Sequence, residues 1–253
     1  MARKMGGARR GAGHRTRHRA RVPVLEQRSA HRIDGVGFSA MTEFGGFPLT
    51  GLDFYEDLEA DNSKAFWTAH KNIYDTAVLA PMKALVAELE ADFGAAKIFR
   101  PYRDVRFAKD KSPYKTAQGA VVGTAPGCGW YVQIGAAGLY VGGGFYQGSP
   151  AQIAQYRATV DDGVRGPELE AILARLRKAK FAIGGEQLKT KPKGFDADHP
   201  RIDLLRHKSL TAGREFGAPD WLTTPRAGKE IRKAWETMRP FIEWLSAVVG
   251  GTR

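Results

Sequence analysis

The sequence predicts an α+β fold: a single domain in which a central antiparallel, glycine-rich β-meander is packed by N-terminal and C-terminal helices. Three observations carry the prediction. Apolar residues recur at helical spacing over residues 50–93 and again over 224–249. Between them, Thr116 to Tyr156 runs for 41 residues without a charged side chain or histidine, and ten of those residues are glycine. Within this run Trp130, Val132 and Ile134 alternate with Tyr131 and Gln133, as expected of a sheet with one buried face.

The N-terminal helices come first. Thr50 with Asp53 three residues on resembles a capping box, and Leu52, Tyr55 and Leu58 form one apolar edge. Asn62 or Ser63 caps a second helix carrying Phe66, His70, Ile73, Tyr74 and Ala77. Trp67 and His70 flank its apolar edge and read as structural. Pro81 ends or kinks that helix, or stands in the first turn of the next one, because proline lacks an N–H and crowds the preceding turn. The next helix carries Met82, Leu85, Val86, Leu89 and Phe93, with Gly94 as its stop.

The uncharged run divides into strands at about 117–123, 129–134 and 138–146, separated by glycine-rich turns. Its glycines, Pro126, Gln118, Gln133 and Gln147 exclude a membrane helix. Ser149-Pro150 starts a helix running to about Asp162. Pro167 starts another with Leu169, Ile172, Leu173 and Leu176 as its stripe. Lys208 to Phe216 reads as a last strand. Thr224-Pro225 opens a long helix with Ile231, Trp235, Met238, Ile242, Leu245 and Val249 at steps of three and four, which Pro240 should kink.

Composition narrows the classes of function. The 253 residues carry a net charge of +12, but unevenly. Residues 1–40 hold ten Lys and Arg against Glu26 and Asp34, whereas residues 41–253 hold 29 cations against 25 anions. This divides the chain into a disordered basic Arg/Gly-rich extension, 1–40, and a globular α+β domain, 41–253. The extension reads as an arm gripping nucleic-acid phosphates, as a segment upstream of a working start at Met41, or as a transit peptide. One cysteine, Cys128, excludes an internal disulfide and a multi-cysteine zinc site. With no long apolar run, a cytoplasmic protein without membrane spans is expected.

The chemistry concentrates in residues 100–116, where six cations, two carboxylates and two tyrosines fall within seventeen residues. An extended Arg103–Ala108 would set Arg103, Val105 and Phe107 on one face and Asp104 and Arg106 on the other. Arg100, Arg103, Arg106, Lys109, Lys111 and Lys115 would neutralise oxyanions. Asp104 would hold an arginine in register, and Tyr114 would stack on the ligand or donate a hydrogen bond. Gly143, within Gly142-Gly143-Gly144, reads as part of a backbone anion cradle or as a bulge in a twisted sheet. Lys193 could add to the cationic side of a shared pocket. If the protein is an enzyme, Asp110 or His199 is the candidate general base. Asp196, Asp198 and His199 are the one compact set of potential metal ligands, although turn chemistry also favours aspartate there and no second histidine sits at ligand spacing.

Three functions follow. One is a pocket for an anionic, phosphorylated ligand; the second is a nucleic-acid-binding module using the same cluster; the third is a purely structural motif. No cofactor is indicated by name.

The motif Arg100-x-x-Arg103-Asp104-x-Arg106-Phe107-x-Lys109-Asp110-Lys111-x-Pro113-Tyr114-Lys115 resembles the signature of a bacterial family called domain of unknown function 2461. Leu58-x-x-x-Asn62 with Phe66-Trp67, Gly142-Gly143-Gly144, Pro192-Lys193-Gly194-Phe195 and Asp198-His199-Pro200 follow in that family's order. The resemblance spans about residues 46–248. Lys64 departs from the polar residue or arginine common among relatives. The resemblance implies a single α+β domain in a cytoplasmic protein, with no assigned activity, substrate or catalytic residue.

Overall fold

A computed structural model describes residues 43–250 apart from Val105, Phe107 and Ala108. The expectations for residues 1–40 and for a start at Met41 lie outside the described residues. The expected class is the one found: a six-stranded antiparallel sheet with helices around one core.

Helix α1 (Leu49–Ala60) buries Leu52, Tyr55 and Leu58. It starts from Pro48 with no side-chain cap, so Thr50 lies inside the helix and the expected capping box does not form. Ser63 caps α2 (Lys64–Ile73), its hydroxyl accepting the Phe66 N–H at 3.1 Å. A π-helical stretch, Tyr74–Leu79, runs on into α3 (Ala80–Phe93), with Pro81 in the first turn of α3. The widened turn falls where the proline ring would otherwise press on a carbonyl four residues back. Gly94 ends α3 with φ +96°, a conformation that suits glycine.

The strands are β1 (Lys97–Ile98), β2 (Ala117–Ala125), β3 (Cys128–Gly135), β4 (Gly138–Phe145), β5 (Ala182–Gly184) and β6 (Leu210–Gly217). They are ordered β1-β2-β3-β4-β6-β5 with every neighbouring pair antiparallel. The expected meander is therefore β2-β3-β4. Period two then sorts the side chains: Trp130, Val132 and Ile134 are buried on the core face, while Tyr131 and Gln133 are half-buried on the other.

Helix α4 (Pro150–Asp161) has a full capping box between Ser149 and Gln152. Helix α5 (Arg165–Lys178) begins two residues before Pro167, and a short α6 (Ile202–Leu205) precedes β6. The last helix, α7 (Arg226–Val249), buries all six residues of its expected stripe and continues through Pro240. It packs on β3 and β4, where Ile242 Cδ1 lies only 3.0 Å from the place a Cβ would take on Gly143. Phe93 closes the core edge-on to Trp130 and Trp235 at centroid distances of 5.3 and 5.0 Å. No helix among the described residues is long and apolar enough to cross a membrane.

Candidate functional site

The basic motif is a hairpin-like loop hung from the β1/β2 edge. The described residues between Arg103 and Asp110 belong to no strand, and Val105, Phe107 and Ala108 of the expected extended stretch lie outside the described residues. Instead a single antiparallel bridge joins Tyr102 and Tyr114, with Arg103 N donating to Pro113 O at 2.9 Å and Lys115 N to Pro101 O at 2.7 Å. The two prolines suit these positions because their carbonyls accept these bonds while their missing N–H groups are not needed.

What fixes this loop comes from the short link between α1 and α2 and from α2 itself. The Asn62 carboxamide accepts from Tyr114 N and donates to Tyr114 O, both at 3.1 Å. The Trp67 ring stacks on Tyr114 at 4.2 Å with an interplanar angle of 7°. Tyr114 is consequently buried, and burial pushes its hydroxyl above the usual range. Its expected role of stacking on a ligand is thus taken by Trp67. Tyr102 is the exposed aromatic of the loop, at 50% accessibility. Its place in a strongly polar stretch gave no periodic signal, whereas the burial of Tyr114 follows only from the packing of α2.

The two carboxylates organise the tip. Asp104 receives Arg106 in a bidentate pair, Nε to Oδ1 at 2.9 Å and a terminal nitrogen to Oδ2 at 2.7 Å. Those bonds hold the Asp104 carboxyl below its usual range. Asp110 accepts from the Ser112 hydroxyl at 2.6 Å, from Ser112 N at 2.8 Å and from Arg103. The Ser112 bonds first, then Arg103, pull its pKa down to about 2. A carboxylate that acidic is a poor proton acceptor near neutral pH, which argues against Asp110 as a general base. Lys115 donates to Arg100 O at 2.9 Å and stands over the Phe99 ring at 5.2 Å. Burial and the nearby Arg100 lower its pKa. Lys111 is exposed on the tip. Among the described residues no carboxylate pairs with Arg100 or Lys109, and both are exposed.

The remaining candidates lie elsewhere. Gly143 sits inside a fully paired β4, opposite Trp130 on one side and Ala212 on the other. A Cβ there would meet Gly129 O at 2.6 Å, so the glycine serves close packing in a twisted sheet and not an anion cradle. Lys193 is exposed in the excursion between β5 and β6, at the sheet edge opposite the hairpin. It cannot share a pocket with Arg103, because β6 and β5 are added beyond β4 and the hairpin hangs beyond β2.

His199 belongs to the same excursion. Its Nε2 meets Asp161 Oδ1 at 2.9 Å, and Nδ1 accepts Arg201 N at 3.0 Å. With Nδ1 occupied by a backbone donor, no lone pair is left to take a substrate proton. Asp196 and Asp198 are exposed, and among the described residues no group of three or more His, Cys, Asp or Glu side chains could hold a metal ion.

An α+β domain bearing a clamped, cation-rich hairpin at one edge of its sheet is the class that this geometry defines. The chain belongs to the family described as conserved hypothetical protein (DUF2461), which matches residues 50–244. No curated protein and no solved structure matches it.

Proposed function

We propose that the protein binds an anionic, phosphorylated ligand at the hairpin formed by residues 100–115. One observation supports this reading above others: the loop's two carboxylates are already engaged by Arg103 and Arg106, which leaves Arg100 and Lys109 exposed without a carboxylate partner among the described residues. Paired arginines are held in fixed directions, and the uncompensated cations favour an incoming oxyanion. Catalysis is not part of this reading, since neither Asp110 nor His199 is placed to accept a proton.

The test is calorimetric titration of the full chain with pyrophosphate, alongside an Arg100→Ala/Lys109→Ala double variant. Saturable binding by the wild type, lost in a variant of unchanged melting temperature, is the expected result. A wild type that takes up no pyrophosphate would overturn the proposal. A nucleic-acid module predicts a steep fall of affinity with salt, because each phosphate contact formed releases condensed counterions; a compact pocket predicts a shallow one.

A further inference from the structure

The face of the sheet turned away from α7 is a glycine-floored trough carrying aromatic rings. Phe99, Tyr131, Tyr140 and Tyr146 share that face with Val121 and Thr211, and they enclose a cavity of about 310 Å³. A second cavity of about 550 Å³ continues past Tyr140 and Thr211 towards β5. Together these fall within the range of small-molecule sites.

Two tyrosines fold over this floor, their rings 6.1 Å apart and inclined at 59° to one another. A Cβ on Gly119 would come within 2.4 Å of the Tyr131 hydroxyl, and one on Gly213 within 1.9 Å of the Tyr140 hydroxyl. Glycine at 119 and 213 therefore lets each phenol fold down over a neighbouring strand and turn a π-face outwards. Tyr131 is fixed further by donating to Gln133 Oε1 at 2.7 Å. Tyr146 stands more than half exposed at the rim. Strands β2, β3 and β4 contain no charged residue, so that part of the floor is neutral, whereas Glu215 of β6 lies beside Tyr140.

Charge stands at both edges: Lys180, Arg214 and Glu215 line the second cavity, and lysines stand at the hairpin edge. Lys97 pairs with Val121 in the ladder and so shares the open face, while the Lys115 ammonium stands over Phe99. Phe99 in turn lies 6.2 Å from Tyr131 between ring centroids. An aromatic platform thus begins about one ring away from the cations of the hairpin edge.

We infer that this face is a nucleobase platform, and that the ligand is a mononucleotide with its phosphate at the hairpin edge and its base stacked on Tyr131 and bounded by the inclined ring of Tyr140. This rests on the phosphate-binding reading of the hairpin and adds the ligand's chemical class. An aromatic face favours a flat partner, the uncharged strands β2–β4 suit an uncharged base, and the cations of the hairpin edge match a ligand that is anionic at one end.

Calorimetry on the full chain tests it with four nucleoside monophosphates, the parent nucleosides, ribose 5-phosphate, pyrophosphate and a short oligonucleotide. Nucleotides should bind roughly tenfold or more tighter than ribose 5-phosphate, the scale of one base–aromatic stack. Tyr131→Leu and Tyr140→Leu should abolish that advantage while pyrophosphate binding stays unchanged. Tyr131→Phe and Tyr140→Phe keep the π-face and should bind nucleotides like the wild type, which guards against a leucine variant that misfolds. Equal affinity for ribose 5-phosphate and nucleotides, or leucine variants that bind nucleotides normally, would overturn the platform and leave the hairpin reading standing. Nucleosides binding where pyrophosphate does not would overturn the hairpin reading and leave the platform. A short oligonucleotide binding far more tightly than any monophosphate, with steep salt dependence, would overturn the mononucleotide in favour of a nucleic-acid strand.

Discussion

Asn62 and Tyr114, 52 residues apart, are joined as a two-bond ladder in which a side-chain amide takes the place of a neighbouring strand. The pairing satisfies the N–H and C=O of a buried residue at the base of an otherwise polar loop, where leaving them unpaired is costly. It explains why Leu58-x-x-x-Asn62 and the basic motif belong together. Leu58 anchors α1 in the core, and the residues just past the end of α1 hold the hairpin.

Asn62→Ala should therefore destabilise the domain by about 1–3 kcal/mol, since both partner groups on Tyr114 lose their bonds while the residue stays buried. Urea unfolding gives the magnitude. Amide exchange should accelerate at Arg103 and Lys115, whose N–H groups close the hairpin, ahead of the core strands.

Trp67→Ala should cost more, roughly 3–5 kcal/mol, the range for deleting a buried large aromatic. Its ring meets Tyr114, Tyr74 and Phe54 at once. Near-ultraviolet circular dichroism should lose intensity with this variant, and a variant as stable as wild type would show that the stack contributes little.

Arg106→Ala should leave the melting temperature unchanged. Its pair with Asp104 is exposed, and exposed ion pairs contribute little to stability. If Arg106 instead proves essential for folding, the loop is a structural device and the binding proposal loses its footing.

Gly143→Ala should destabilise by about 1–3 kcal/mol through overpacking, because the added methyl meets a backbone oxygen that cannot step aside. Gly163→Ala is the matched control. Nothing lies within 4 Å of its Cβ position, so stability should hold or rise slightly.

His207 supplies a pH dependence. It is buried, with Nδ1 at 2.8 Å from Ser209 O and Nε2 at 2.6 Å from the Gln187 amide nitrogen, an arrangement that fits the neutral ring. Burial lowers its pKa below the ordinary 6.5, against the smaller raising effects of the Ser209 bond and Asp203. The unfolded chain takes up a proton first as the pH falls below 6.5, so stability should fall with pH from there until the folded ring also titrates. Urea midpoints at pH 7.5 and 5.5 should differ for the wild type by more than for His207→Gln.

Much of the fold was legible in the sequence because it is written in local periodicity. The uncharged run between Thr116 and Tyr156 became β2-β3-β4, each strand within about two residues of its expected bounds. The stripe of α7 is buried in full, and Ser149 and Ser63 cap the helices they precede. The exceptions were equally local: Pro48 displaced Thr50 from the cap of α1, and α5 began ahead of Pro167.

The composition of the site was also legible, since charge density alone marked residues 100–116. Its geometry was not. Whether Tyr114 or Tyr102 faces solvent depends on Trp67, and whether Lys193 and His199 reach the hairpin depends on the strand order β4-β6-β5, which sends their segment to the far edge. The sequence by itself determined which segments are helix or strand and where the cations cluster, because spacing and composition act over a few residues. Only the tertiary structure decided which distant residues meet, because that is settled by how whole elements bury their apolar faces together and not by any pattern along one of them.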